Sequence, residues 1–480
     1  MVNLRTRPHL SPKALTPGYG SQALSGTHAY FRGLNRPLAI GGTVLLIAAL
    51  LAQLVPPSIR SSNVFNGALA GCLGLYAIVG FLFLRTKFRI TAPAFILSLI
   101  QIWIVITIFI SPSVFSLELK IGRNIWWPAF VLMPYLVAFV LVAIEPRFRT
   151  RLLNFILGVC AFTALVGVLQ FIRFPGAYQL SMLYTDLDSL IKYDLGLEKR
   201  SHGLSTHPFH LAAQCILGCG IVASQLLFRK LTAWEVSLYA LLSAGLIVAQ
   251  ARSFYAVWVL LTIFTLVFVF KRSKPQGLII VCLMSSIIVG AIGAFPDQLT
   301  YGLSGKNTIE EGRMGQWNRA DSLSEQYPVT GIGPKETVFG SGKDFSGGGR
   351  WWTPYTESGY RMSRVSGGVV GLFLLISLVG TSIFLSFKVF RDESADPVRR
   401  RAAFAGFYYM IAMAVGLYIT NIVESELMTY YGMALAGIVA PQIGEIYRSK
   451  KGRSNVYLRR MVNARARLAA NARLHEVSNP

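Results

Sequence analysis

Residues 312–334 read GRMGQWNRADSLSEQYPVTGIGP. They lie inside a polar, glycine-rich stretch from Pro296 to Arg364, and long apolar runs precede and follow that stretch. A segment of this length without strong periodicity is usually functional or disordered. Its aromatic residues and its Gly/Pro pairs favour an ordered loop, so we expect the protein to act here.

The apolar runs identify a membrane protein. Of the 480 residues, 53% are hydrophobic and only 14% are charged, whereas soluble domains carry roughly one-quarter charged residues. Apolar windows of about 20 residues are long enough to cross a hydrocarbon layer of about 30 Å. Twelve such windows begin near Leu38, Val64, Ile90, Ile125, Leu152, Pro208, Trp234, Phe254, Gly277, Val365, Ala402 and Glu426. We therefore predict an all-α polytopic membrane protein with about twelve transmembrane helices and a large periplasmic loop between helices nine and ten.

The net charge of +24 is distributed in a way that argues against nucleic-acid binding. Basic clusters such as 85–87, 229–230 and 399–401 recur in alternate links between the windows. This is the positive-inside pattern, and it places both termini in the cytoplasm. The expected partners are membrane lipids and not nucleic acid. The first 37 residues lack an early apolar run, so we expect no cleaved signal peptide.

The predicted organisation has five parts. They are a basic cytoplasmic tail at 1–37, helices one to nine at 38–295 with an outer loop at 173–207, the large periplasmic loop at 296–364, helices ten to twelve at 365–444, and a basic cytoplasmic tail at 445–480. The apolar residues of the tail 445–480 have loosely helical spacing. A basic helix lying on anionic lipid explains both this spacing and the basic composition of the tail.

The outer loop 173–207 leads into a stretch rich in histidine, Arg200-Ser-His-Gly-Leu-Ser-Thr-His-Pro-Phe-His210. Pro208 suits the first turn of a helix, and an outward-facing helix start offers backbone N–H groups to an anion. The spacing of His202, His207 and His210 matches no strong zinc pattern. Capping, hydrogen bonding or substrate contact is favoured over metal binding, and we predict no metal and no other cofactor.

Arg252 lies in a very tight turn between two apolar windows. An arginine at a helix end can simply extend toward the lipid headgroups. Charge near the membrane is costly and is often functional. With a window on each side and almost no loop, a functional role is the favoured interpretation.

Three segments in this order resemble the bacterial superfamily of O-antigen ligases and O-antigen/exopolysaccharide polymerases. They are 200–212, 251–254, and 312–317 running on to 327–334, and the likeness covers roughly residues 38–444. The resemblance implies glycosyl transfer at the outer face of the bacterial cytoplasmic (inner) membrane. The donor is a glycan on undecaprenyl pyrophosphate, and the acceptor is another lipid-linked repeat in polymerases or a lipid such as lipid A core in ligases. No nucleotide sugar and no metal is required.

The resemblance assigns pyrophosphate binding to Arg200, Arg252 and Arg313, which occupy the matching family positions. Arginine suits this role because its charge is permanent and its contacts to phosphate are bidentate. Stabilisation at the atoms where charge develops is usually the largest single catalytic effect.

The acceptor hydroxyl needs a base. The ligase pattern has a His late in the long loop, but residues 296–364 contain none. At that place stands Thr356-Glu-Ser-Gly-Tyr360, which is similar to polymerase-like members. Glu357 is the candidate base or acceptor orienter, and His207 is the alternative base.

The structural alternative for Glu357 is an ion pair with Arg361 or Arg364. Tyr360, Trp351 and Trp352 are the candidate sugar contacts.

The sequence therefore predicts a polymerase of lipid-linked polysaccharide repeat units, with a flippase and a chain-length regulator as further partners. The alternatives are an O-antigen ligase and a polysaccharide transporter or flippase. Charges are nearly absent from the apolar windows, whereas a transport path for a polar head would normally be lined by polar groups.

Overall fold

The structure is a computed structural model, and it describes residues 22–56, 63–84, 91–110, 126–184, 200–205, 207–228, 232–272, 274–294, 308–333, 358–419 and 426–440. All regular structure in these ranges is helical. In chain order the helices are α1 (Gln22–Ala52), α2 (Asn63–Leu84), α3 (Ala92–Ile110), α4 (Trp126–Ile144), α5 (Phe148–Phe171), α6 (Ala177–Ser181), α7 (Pro208–Leu226), α8 (Ala233–Val248), α9 (Arg252–Arg272), α10 (Lys274–Ala294), α11 (Thr308–Gln326), α12 (Gly359–Arg391), α13 (Pro397–Ile419) and α14 (Glu426–Val439).

Each of the twelve apolar windows coincides with one helix, and α6 and α11 are additional. Within the described ranges, six helices are long and apolar enough to cross a membrane, and four more apolar helical segments measure 10–17 residues. The protein is thus an all-helical membrane protein over the residues described, and the total of twelve spans stays a prediction. Helix α1 begins at Gln22, inside the predicted tail, and the tail 445–480 lies outside the described residues.

Two helix starts show how the local sequence determines the fold. Thr232 and Glu235 form a capping box at α8, in which the Thr232 hydroxyl accepts from the Glu235 N–H and the Glu235 carboxylate accepts from the Thr232 N–H at 3.0 Å. Pro208 occupies the first turn of α7, where its missing N–H costs nothing.

The core of the bundle surrounds α7, whose membrane-spanning window is 94% buried. Small residues allow its neighbours to approach closely. A Cβ at Gly218 would lie 2.6 Å from the Leu242 side chain of α8, and one at Gly220 would lie 2.7 Å from Tyr408 of α13. Cys215 and Cys219 are buried and free in this core, where a thiol packs as a small apolar group.

Several arginines bond to backbone carbonyl groups at the C-terminal ends of helices. Arg149 is buried and donates to the carbonyl of Ile438 at 3.0 Å, and Arg399 donates to that of Val439 at 2.7 Å. Arg400 donates to a carbonyl in the last turn of α12 at 2.9 Å. Cations stabilise helix C-termini because the last carbonyls carry unpaired negative partial charge. These basic residues therefore fasten α12 and α14.

Helix α12 consists of two helical segments that meet at Gly368. Gly368 has φ 65° and ψ −162°, which is not helical. A Cβ on Gly371 would lie 3.1 Å from the carbonyl oxygen of Ser363, although eight residues of straight helix span about 12 Å. The chain therefore turns sharply at Gly368. The first segment begins at Gly359, ahead of the predicted start at Val365.

Candidate functional site

The stretch 200–205 lies against the end of α5, and one glutamine holds it there. The Gln170 amide accepts from the N–H of Gly203 at 2.8 Å and donates to its carbonyl at 2.9 Å. Gly203 has φ +62°, and a Cβ there would lie 2.8 Å from the Thr163 carbonyl. Only glycine combines this backbone conformation with such a close approach, so the sequence determines how the chain after Arg200 packs on α5.

A backbone hydrogen bond joins the same stretch to the end of α8. The N–H of Ser201 donates to the carbonyl of Val248 at 3.0 Å. The chain then turns through Gln250, which has φ 52°, and α9 begins at Arg252. Arg200 directly precedes one partner of this bond, and Arg252 follows the other by four residues. The structure therefore brings the backbones of these two predicted arginines to the same end of the bundle, which we call the site end.

Contacts between α9 and α13 extend the site end to the start of α12. The two helices run antiparallel, because Leu261 contacts Tyr408 while Phe264, further along α9, stacks on the earlier Phe404 at 6.3 Å between ring centres. The start of α9 therefore lies beside the end of α13. The first segment of α12 is attached to the same end of α13.

Ser358 and Tyr360 attach α12 to the last turns of α13. The Tyr360 hydroxyl donates to the carbonyl of Ala414 at 3.1 Å, and the Ser358 hydroxyl donates to that of Leu417 at 3.4 Å. Ser358 also caps α12, since its side chain accepts from the N–H of Arg361. The Tyr360 hydroxyl thus has a structural partner, and a sugar contact by this residue would use its ring.

His207 caps α7. Its backbone is extended, and its Nδ1 accepts from the N–H of Phe209 at 3.3 Å. The imidazole stacks on the Phe209 ring at 4.8 Å and lies 6.0 Å from the His210 ring. When Nδ1 accepts, the proton of the neutral imidazole resides on Nε2. In this arrangement Nε2 is a hydrogen-bond donor and not a base.

The three neighbouring histidines are not grouped as metal ligands in the described part of the chain. Among the residues that the structure describes, which include His202, His207 and His210, no group of three or more His, Cys, Asp or Glu side chains is placed to hold a metal ion.

Tyr184 anchors the beginning of the outer loop. Its hydroxyl donates to the carbonyl of Leu54, which follows α1. Burial raises the pKa of the Tyr184 phenol above its usual value of 10, so this group remains a neutral donor.

On the other side of the site end, helix α11 packs against the start of α12, and one arginine takes part in this contact. The Arg361 guanidinium lies 4.3 Å from the centre of the Trp317 ring, and its Nε is 3.5 Å from the Asp321 carboxylate. The Trp317 ring also contacts Tyr418 of α13 at 5.8 Å, edge to face. Partly exposed ion pairs of this kind stabilise by only about 0–1 kcal/mol, so the Trp317 stack is an essential part of the contact.

The turn after α11 fills the break in α12. The N–H of Ile332 donates to the carbonyl of Val365 at 2.8 Å, and the N–H of Val369 donates to the carbonyl of Pro328 at 2.8 Å. These bonds replace the 369-to-365 bond that an unbroken helix would make. A Cβ on Gly331, which has φ +66°, would lie 2.6 Å from the Gly368 nitrogen.

Trp103 of α3 supports the break from the other side. Its indole N–H donates to the carbonyl of Gly367 at 2.8 Å. Interrupted helices are tolerated in membranes when neighbouring groups satisfy the freed backbone atoms. The bonds from the 328–333 turn and from Trp103 meet that condition here.

The remaining predicted site residues are placed only in part. Arg313 lies in α11, one turn before Trp317, and the structure describes its backbone but not its side chain. The side chain of Arg252 is likewise not described, while Arg200 is half-buried. Glu357, Trp351 and Trp352 lie outside the described residues.

Sequence reasoning missed the groups that hold the site together. Gln170 was hidden because a single amide near the end of an apolar helix is not a distinctive signal. Asp321 and Arg361 are separated by forty residues, so only the folded chain shows their contact. A weak signal for α11 was present, since positions 313, 317 and 321 repeat at the i, i+4 spacing of one helix face.

Comparison with known proteins places part of this site in a family. Residues 237–376 match the family described as O-antigen ligase, and no curated protein matches the chain. The matched segment includes Arg252, Arg313, the Trp317–Arg361 contact and the break at Gly368. It supports the resemblance drawn from the sequence motifs, because residues 237–376 of the chain are similar to the O-antigen ligase family.

Proposed function

We propose that the protein is a polymerase of lipid-linked polysaccharide repeat units. It transfers a growing glycan from undecaprenyl pyrophosphate to a sugar hydroxyl of another lipid-linked repeat, at the periplasmic face of the bacterial cytoplasmic membrane. The product is O-antigen, capsule or exopolysaccharide. A flippase that delivers the repeats and a chain-length regulator are the expected partners.

The observation that carries the proposal is the Ser201–Val248 backbone hydrogen bond. It holds the backbones of Arg200 and Arg252 at one end of the bundle, although these residues are 52 positions apart along the chain. Two permanent positive charges at one membrane surface suit a diphosphate, which carries negative charge on both phosphoryl groups. The α9–α13 and α12–α13 contacts bring α11, the helix of Arg313, to the same end.

The reaction balances without a cofactor. The acceptor oxygen forms a bond to the anomeric carbon of the donor glycan as the bond from that carbon to the pyrophosphate oxygen breaks. The bonding electrons leave with undecaprenyl pyrophosphate, and the acceptor proton passes to a protein base. The arginines stabilise the charge that grows on the leaving oxygen.

Glu357 is the base that the arrangement favours. It directly precedes Ser358 in the sequence, and the Ser358 side chain caps α12 and bonds to α13 at the site end. His207 is the weaker candidate because its Nδ1 already accepts a hydrogen bond, which leaves Nε2 as a donor. A donor at this position suits contact with a phosphate oxygen or with the acceptor.

The polymerase is favoured over the ligase by the sequence of the long loop. Residues 296–364 contain no histidine, and Glu357 occupies the place where the ligase pattern has one. A carboxylate at this position is similar to polymerase-like members of the superfamily.

Purified full-length protein in detergent, given lipid-linked repeat units, tests the proposal. A polymerase yields a ladder of longer lipid-linked glycans together with released undecaprenyl pyrophosphate. Transfer only to an added lipid A core acceptor would instead identify a ligase. Movement of the repeats across proteoliposome membranes without lengthening would identify a transporter.

A further inference from the structure

The contacts of α11 place Arg361 along the helix face on which a predicted substrate-binding residue lies. Positions 313, 317 and 321 lie on one face of α11, because residues four apart are neighbours on a helix. Arg361 contacts the second and third of them, with its guanidinium over Trp317 and its Nε toward Asp321. Arg361 therefore lies along the face of α11 that carries Arg313.

The guanidinium of Arg361 is held in a way that leaves its outer edge available. Trp317 covers one face of the planar group, and Asp321 lies on the Nε side at 3.5 Å. No hydrogen bond from this guanidinium reaches another residue in the described part of the chain, and the side chain is 27% exposed. Among the described residues, therefore, nothing occupies the N–H donors of the two terminal Nη groups, which suit a ligand.

This arrangement suits the binding of an anion with paired oxygens. The terminal N–H groups of arginine form a planar fork that matches phosphate and carboxylate. Stacking on Trp317 fixes the plane of the fork before the ligand arrives, which reduces the conformational entropy lost on binding. Asp321 is itself 40% exposed and neutralises Arg361 only weakly.

We infer that Arg361 is a further substrate-binding residue, whose Nη fork binds an anionic group of the lipid-linked donor next to Arg313. This inference rests on the proposed function. The shared chemistry is a pair of anionic oxygens, which belong either to the pyrophosphate or to a carboxylate-bearing sugar of the glycan.

The test uses full-length protein in detergent and compares wild type, Arg361→Gln, Arg361→Lys and Arg391→Gln. Arg391 is the matched control, because it stacks on Phe387 in the same helix but at the opposite end. Inorganic pyrophosphate is titrated by calorimetry, and donor KM is measured with repeats that carry neutral sugars or uronic acids. Thermal unfolding shows whether each variant keeps its fold.

If the fork binds pyrophosphate, Arg361→Gln weakens the affinity for inorganic pyrophosphate by about ten- to a hundred-fold, as expected for losing charge-assisted hydrogen bonds. Arg361→Lys keeps the charge and loses the fork, so its affinity for pyrophosphate lies between those of Arg361→Gln and wild type. If the fork binds a sugar carboxylate, pyrophosphate affinity is unchanged and only the KM for uronic-acid repeats rises. Arg391→Gln matches wild type in both measurements.

The inference is overturned if folded Arg361→Gln binds pyrophosphate like wild type and shows unchanged KM for both kinds of repeat. It is overturned equally if only the unfolding temperature falls, since Arg361 would then serve only to attach α11. Failure of wild type to lengthen any glycan is a different result, which counts against the proposed function.

Discussion

The guanidinium of Arg361 stacks on Trp317 at 4.3 Å, and this contact joins α11 to the first segment of α12. Arg313 lies one turn before Trp317, and Glu357 lies four residues before Arg361. The helix of the proposed pyrophosphate-binding residue Arg313 therefore contacts the helix that begins two residues after the proposed base, Glu357. We expect a change in this packing to affect both proposed functions.

Gly368→Ala tests the break in α12. A side chain at this position would meet the carbonyl of Val329, and the backbone of the alanine would have to adopt φ 65°. Such backbone strain costs about 1–3 kcal/mol, and displacement of the 328–333 turn adds to it. We expect a lower unfolding temperature and loss of polymer synthesis.

Gly380→Ala is the control in the same helix, since nothing lies within 4 Å of the added Cβ. We expect unchanged activity and a gain in stability of about 0.5–1 kcal/mol, because alanine is the better helix former. Equal behaviour of the two variants in thermal unfolding would show that Gly368 imposes no special conformation.

Gln170→Leu tests the attachment of the Arg200 stretch to α5. It leaves the N–H and the carbonyl of Gly203 buried without their amide partner, which costs about 1–3 kcal/mol per group. We expect lower stability and reduced polymer synthesis, measured by thermal unfolding and by glycan lengthening.

Gln214→Leu is the matched control in α7. Gln214 is 3% exposed, and within the described residues neither of its amide atoms has a hydrogen-bond partner. Removing an unsatisfied buried amide is neutral or stabilising. A larger loss of stability for Gln214→Leu than for Gln170→Leu would contradict this reading of the α5 contact.

Substitutions at His207 separate capping from catalysis. His207→Asn keeps an acceptor at the helix start, whereas His207→Ala removes it at a cost of about 0.5–2 kcal/mol. With Glu357 as the base, we expect His207→Asn to retain polymer synthesis and Glu357→Gln to lose it. Rates of polymer synthesis measured across pH show which of the two residues is the base. Wild-type turnover by Glu357→Gln would exclude Glu357 from the mechanism.

Removal of metal ions is expected to leave the reaction unchanged. The proposed chemistry assigns neutralisation of the leaving pyrophosphate to arginine, so chelation by EDTA should not alter the initial rate of glycan lengthening. A loss of rate that Mg²⁺ or Mn²⁺ restores would show that a cation shares this role.

The positions of the helices could be predicted because apolar runs of sufficient length have few alternatives in a bilayer. The start of α7, with His207 as its cap and Pro208 in its first turn, was also predictable, because proline favours the first turn of a helix. The helix in the long loop was harder to predict from the sequence. Helix α11 is polar on most faces, and the contact between Trp317 and Arg361 that stabilises it forms only in the folded chain.

The break at Gly368 was also beyond local reasoning. The pair Gly367-Gly368 is compatible with close helix packing and equally with a sharp turn. Only the hydrogen bonds donated by Ile332 and Trp103, and the one that the Pro328 carbonyl accepts, select the turn. In the same way, the motifs brought Arg200 and Arg252 to attention, but the Ser201–Val248 bond that joins their segments required the structure.

Replacement of Arg200, Arg252 and Arg313 by glutamine, one at a time, tests the central claim most directly. The measurement is the amount and length of polymer made by correctly inserted protein of wild-type stability. If these cations hold the departing pyrophosphate, each variant loses most of its polymer synthesis, with the loss of one charge-assisted contact worth about 1.5–3 kcal/mol, or roughly ten- to more than a hundred-fold in rate. Polymer of normal amount and length from all three variants would contradict it.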